Sequence, residues 1–175
     1  MSSFSKTASG KLNAIAKVSA AAANGLATCV YISEAADLTS IPARTADTNI
    51  IATDIVFDAG KFFASWHVGE EESQISINSI GTQGSSSFET TLTLFVPGTH
   101  DQAEEFLNEG INDEFVIVAP DRNGVLRLIG ADYSPAFIPA DGIEFVNTNE
   151  KEGFTITFKQ RGKFPPVYTG AIATS

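Results

Sequence analysis

Cysteine occurs once, at Cys29, and that excludes an intramolecular disulfide framework and any zinc centre built on two or more thiolates. No cationic residue flanks it in Thr28-Cys29-Val30, so nothing nearby in sequence activates the thiol, and the expectation is a small buried hydrophobe. With no disulfide to form, a reducing compartment suffices for synthesis. Tryptophan is also single, Trp66, and only three Tyr accompany it, against thirteen Phe. No run reaches the length of apolar residues that a membrane-spanning helix needs, so no membrane insertion by a helix is expected. The Ala-rich stretch near the N-terminus is interrupted by Lys17 and lacks the compact apolar segment of a secretory signal.

Positive charge is nearly missing from the middle of the chain. Residues 50–121 hold thirteen acidic residues against Lys61 alone, a local balance of −12, and this stretch carries the whole excess behind the net charge of −10. Nucleic-acid binding by phosphate neutralisation needs clustered Lys and Arg, and this pattern is the opposite. An acidic surface serves solubility, or it repels polyanions. What the chain has in quantity is apolar: 43% of its 175 residues are hydrophobic and 18% charged, enough for one domain with a sizeable core. Abundant Phe, Thr and Ile favour strands.

Residues 1–48 read as an N-terminal arm and long loop belonging to the same unit as the β-rich body of residues 49–175. In the first part only Thr28 to Ile32 suggests a strand, and 33–48 reads as a long loop, a kind of segment that commonly contacts a neighbour. Asn49 to Phe57 then alternates, with Ile51, Ile55 and Phe57 on one face. Phe62, Ala64, Trp66 and Val68 share a face of a second strand, which places Trp66 in the core. Ile75 and Ile77 begin a third strand, and Gly81 to Ser87 forms a Gly/Ser-rich connection. Phe88 to Val96 alternates most clearly, with Phe88, Thr90, Leu92, Leu94 and Val96 opposed to Glu89, Thr91 and Thr93.

One helix is expected over residues 100–109. Thr99 and Gln102 supply a capping box, Ala103, Phe106 and Leu107 an apolar stripe, and Gly110 the stop. Strands follow at Glu114 to Ala119 and Val125 to Ile129 around an Asn123-Gly124 hairpin signal, then at Ile143 to Val146 and Gly153 to Arg161, the last with Phe154, Ile156 and Phe158 inward and Thr155, Thr157 and Lys159 outward. The fold class is therefore mainly β, a β-sandwich or barrel of about eight antiparallel strands with one short flanking α-helix.

Chemistry is sparse. His67 faces away from Trp66, and His100 falls in the first helical turn; neither lies beside a nucleophile in sequence, and no local signature of a triad is present. Gly81-Thr82-Gln83-Gly84 lacks the lysine of a phosphate-binding loop and leads into a strand. Glu70-Glu71-Glu72 is the sharpest acidic cluster, with a spacing unlike an EF-hand. No enzyme activity, catalytic residue, cofactor or metal is expected.

The C-terminal third carries a resemblance. The hairpin Asn123-Gly124-Val125-Leu126-Arg127-Leu128-Ile129-Gly130, the strand Gly153-Phe154-Thr155-Ile156-Thr157-Phe158, and the tail Phe164-Pro165-Pro166-Val167-Tyr168 follow one another in an order that resembles the tail tube, or major tail, proteins of tailed bacteriophages. The resemblance covers about fifty residues, on motifs of modest specificity. It implies a β-barrel or two-sheet sandwich with a helix at its side, assembled as hexameric rings that stack into a tube in the virion tail after synthesis in the host cytoplasm. The partners implied are further copies of the chain, with sheath, tape-measure, baseplate and terminator proteins, and the lumen passes DNA without tight binding. On this reading Glu89, Thr91 and Thr93 line the lumen, and Glu70, Glu71 and Glu72 form an inter-ring loop. Competing readings are a carbohydrate-binding or adhesive β-sandwich, which needs an exposed aromatic platform, and another virion part such as a head-decoration or tail-terminator protein.

Overall fold

The computed structural model describes residues 28–69, 72–98, 101–121, 124–131 and 133–174. Its elements run β1 (Thr28–Glu34), a 3-10 turn (Ala35–Asp37), β2 (Leu38–Ser40), β3 (Ile50–Ile51), β4 (Val56–Phe57), β5 (Ala64–Val68), β6 (Gln74–Thr82) and β7 (Ser85–Pro97). There follow α1 (Asp101–Gly110), β8 (Glu114–Pro120), β9 (Leu126–Ile129), β10 (Ala136–Phe137), β11 (Ile143–Asn147), β12 (Glu152–Gly162) and β13 (Val167–Tyr168). Among the described residues eight of the strands have four or more residues and there is one α-helix, a mainly β arrangement of the sandwich and barrel class.

Two strand groups face each other. In one, β6, β7, β12 and β11 lie side by side; in the other, β5, β1, β8, β9, β13 and β3. The two-residue β10 wires them together, since Phe137 pairs with Glu114 of β8 on one side and with Lys159 of β12 on the other. The N–H of Gly69, just past β5, donates to the carbonyl of Phe95 in β7 at 2.8 Å, so the sheet curls back on itself in the manner of a barrel.

Two cores result. The larger lies inside the curl, where Trp66 of β5, Leu92 and Leu94 of β7, Phe115 and Ile117 of β8 and Ile156 and Phe158 of β12 meet Ala103 and Phe106 of α1. This is where the narrow apolar stripe of α1 docks. The second core covers the outer face of β8 and β9, with Val116, Val118 and Leu128 under Ile51, Ile55, Phe63 and Tyr168. Buried on both faces, β8 needs apolar residues without alternation, which explains its run from Phe115 to Ala119.

Several expectations need correction. Residues 33–48 are not a bare loop: β1 runs on to Glu34, the 3-10 turn and β2 follow, and Ala35, Leu38 and Ile41 pack onto the second core of their own chain. The alternation of 49–57 does not make one strand. The chain bends at Thr53, so β3 joins β13 while β4 pairs with β2, yet Ile51, Ile55 and Phe57 all reach the same core. Phe62 does not share the Trp66 face; its neighbour Phe63 is the buried ring, in the second core. The Gly/Ser-rich stretch is no open connection, since Thr82 pairs with Ser85 and Gln83-Gly84 is a two-residue turn with Gly84 at φ 86°. The helical cap at Thr99, with His100, Arg122 and Asn123, lies outside the described residues.

Candidate functional site

The outward face of β6, β7 and β12 is built by alternation, clearest over Glu89–Leu94 of β7 and Phe154–Gln160 of β12. On β7, Thr90, Leu92, Leu94 and Val96 are buried, while Glu89, Thr91 and Thr93 stand half-exposed on the opposite side, as their parity predicts. Register then brings neighbours beside them: Asn78 and Arg161 flank Glu89, Ser76 and Lys159 flank Thr91, and Gln74 and Thr157 flank Thr93. Around Glu89, Thr91 and Thr93 the face is one of hydroxyls and amides with a charged cluster at Glu89; farther along, Phe95 lies buried beneath Lys151, which pairs with Glu72.

That cluster is not a bare negative charge. Glu89 accepts from Arg161 Nε at 2.8 Å and from Lys159 Nζ at 3.4 Å. The hydrogen bond from Arg161, with help from Lys159, holds the Glu89 carboxyl below the usual carboxylate range. Two cations therefore meet one carboxylate on this face. The acidic surplus of the chain gathers elsewhere, with Asp101, Glu104, Glu105 and Glu109 exposed along α1.

A pH dependence follows. Because its folded pKa is lowered, Glu89 contributes stability that is present above the unfolded carboxylate value and lost as pH falls through the folded one. Half-exposed pairs of this kind contribute about 1 kcal/mol or less. Glu89→Gln is thus expected to flatten the drop in melting temperature between about pH 5 and pH 3; an acid limb identical to the wild type would refute the pairing.

Both lateral edges of this group are open among the described residues. β6, nine residues long, pairs only with β7, and β11 pairs only with β12. Such edges present unpaired backbone N–H and C=O groups and accept another strand unless blocked.

The motif strand lands on β12, with Phe154, Ile156 and Phe158 buried and Thr155 and Thr157 outward. Gly153 has a steric reason to be glycine: a Cβ there would stand 2.4 Å from the Val96 carbonyl oxygen and 2.7 Å from the Phe95 ring. Glu70 and Glu71 lie outside the described residues; Glu72 is exposed and bridged by Lys151 at 2.7 Å.

Fold register also creates a pairing that sequence separation hid. Cys29 of β1 stands opposite His67 of β5, and its thiol shares a hydrogen bond with the Tyr31 hydroxyl. Cys29 is half-buried rather than a core residue, and burial raises its pKa, the direction opposite to that of an activated nucleophile. Among the described residues no three of His, Cys, Asp and Glu converge as a metal centre requires, and no helix is long and apolar enough to cross a membrane.

No protein-family model, curated protein or solved structure matches this chain. The geometry alone bears on function. Lys159 and Arg161 are the site residues that sequence reasoning passed over. Their outward parity on β12 was visible, but the pairing to Glu89 across some seventy residues depends on register.

Proposed function

We propose that the chain is a structural subunit of a tail tube of the tailed-bacteriophage kind, its copies joined edge to edge in rings whose lumen passes DNA. The observation that carries this reading is a polar sheet, β6–β7–β12–β11, open at both edges. Pairing the β6 edge of one copy with the β11 edge of the next covers both liabilities, and repetition by rotation closes a ring. Outward hydroxyls and amides flank Glu89, Thr91 and Thr93 along most of this wall, and its Lys159 and Arg161 are paired with Glu89. Glu89 has a specific task there: it occupies the Lys159 and Arg161 side chains that would otherwise grip phosphates.

Negative-stain microscopy over a concentration series tests the reading, with rings or filaments of uniform width expected. Adjacent prolines then test the edge. In an antiparallel edge strand successive N–H groups point alternately to the partner and to solvent. Of Asn78→Pro and Ser79→Pro, the variant that removes an outward N–H should melt within a few degrees of wild type and fail to form rings. A well-folded variant of that pair that still closes rings would sink the proposal. Glu89→Lys puts three cations together, and its assemblies are expected to retain DNA that wild-type assemblies release.

A further inference from the structure

We infer that a second, head-to-tail contact joins copies of this chain, between an aromatic and cationic patch at one end of β7 and the acidic outer face of α1 beyond its other end. The patch begins at Phe88, which stands opposite Gly162 in the β7–β12 register. The rings of Phe88 and Phe164 meet edge to face at 5.4 Å, and the Arg127 guanidinium lies 5.7 Å from the centre of the Phe164 ring. Both Phe rings are more than a third exposed. Beside them Tyr133 is fully exposed and holds φ at 59°, a left-handed conformation costly for an aromatic residue. Its loop is tied down next to the patch, because the Ser134 hydroxyl donates to the Arg161 carbonyl.

Three exposed aromatic rings among arginines are the composition of an interface centre, not of a solvated surface. The charge is distinctive as well. In a chain of net charge −10, Arg127 lies over the Phe164 ring, Lys163 precedes that ring in sequence, and Arg161 and Lys159 follow on the adjoining outward face, where both share the single carboxylate of Glu89 while Arg127 pairs with Asp121.

The complementary surface is on the same chain. α1 contains no basic residue, and Asp101, Glu105 and Glu109 repeat at four-residue spacing along its exposed side, with Glu104 beside them. Like charges at this spacing repel, and Glu109 in the last turn opposes the helix dipole. None of the four has an ion-pair partner among the described residues. A cationic partner surface would relieve both costs. Within one copy the two surfaces cannot meet: α1 follows Pro97, nine residues along β7 from Phe88, or about 30 Å at strand rise. The contact is therefore between copies, and it is heterologous, so it propagates. It does not depend on the tube reading, since linear chains satisfy it as well as stacked rings do.

Charge reversal with mixing tests it. One variant carries Arg161→Glu and Lys163→Glu; the other carries Glu105→Lys and Glu109→Lys. Circular dichroism melts establish that each folds, and sedimentation velocity reads association. Each variant alone should self-associate at least about tenfold more weakly than wild type, and wild-type association should weaken as salt rises toward 1 M. An equimolar mixture should regain association, because every patch-to-helix contact in an alternating chain then joins opposite charges. Tyr133→Ala, remote from either core, should weaken association about tenfold without changing the melt. A mixture that stays dissociated, reversed variants that associate like wild type, or a Tyr133→Ala chain that does so, overturns the inference, as does a patch that captures a glycan while the wild type stays monomeric. Rings that form yet ignore charge reversal refute this contact and leave the tube reading standing. Charge-sensitive chains that never close into rings do the reverse.

Discussion

Trp66→Ala is expected to destabilise the fold by about 3–5 kcal/mol, more than any other single truncation. Trp66 is fully buried and meets Phe106 edge to face at 5.0 Å. Phe106 in turn meets Phe115 at 5.6 Å, and Phe115 meets Phe158 at 5.5 Å. This file of rings links β5, α1, β8 and β12, so the cavity opens where the elements of the larger core converge. The surrounding strands are held by their ladders and cannot collapse to fill it. Against a typical total of 5–15 kcal/mol, much of the stability disappears. For a chain of this size the melting temperature should fall by roughly 6–20 °C. Urea denaturation checks the free energy. A loss below about 1 kcal/mol would show that α1 does not dock through this ring.

Gly153→Val should be the next most damaging change, at about 2–3 kcal/mol. The obstacle is backbone, since the Val96 carbonyl oxygen lies 2.4 Å from the position of the new Cβ and belongs to the ladder partner. Either β12 lifts from β7 or the Phe95 ring leaves its place. The control is Thr155→Val, two residues on and outward, where the expected change is within about 0.5 kcal/mol. Equal unfolding midpoints for the two variants would refute the steric reading of Gly153.

The legible features of the sequence were those set by neighbours a few residues apart. Period-two alternation placed Glu89, Thr91 and Thr93 on one side of β7 and Phe154, Ile156 and Phe158 on the buried side of β12. The apolar stripe of α1 announced a helix that docks through Ala103 and Phe106. What stayed hidden depends on pairing between distant segments. β10 has two residues and no periodicity, yet it joins the two strand groups. The second core draws Ile51, Phe63, Val116, Leu128 and Tyr168 from five separate stretches. No local window contains it, so residues 33–48 looked like a loop with nothing to pack on. The charge of the outward face was hidden for the same reason. Parity showed that Glu89 faces out, but only register shows that Arg161 and Lys159 answer it.

The tail of the chain has a consequence for the order of events during synthesis. β13 runs parallel to β3, with Val167 beside Ile50 and Tyr168 beside Ile51. The Tyr168 hydroxyl accepts from the Ile55 N–H at 3.2 Å and donates to the Ala171 carbonyl at 2.7 Å, while the Ala171 N–H donates to Asp54 at 2.7 Å. Every one of these partners of residues 50–55 is made more than a hundred residues later. Until residues 165–174 leave the ribosome, the cover over β8 and β9 consists of Ile51, Ile55, Phe63 and their neighbours alone, without Tyr168, Ile172 and the ties that Tyr168 and Ala171 make to residues 50–55. Such contacts between distant segments form late, and the exposed surface invites aggregation in the interval. A chain cut short before Tyr168 would keep that gap in the second core permanently, so the last strand, short as it is, closes the apolar layer that the first third of the chain begins.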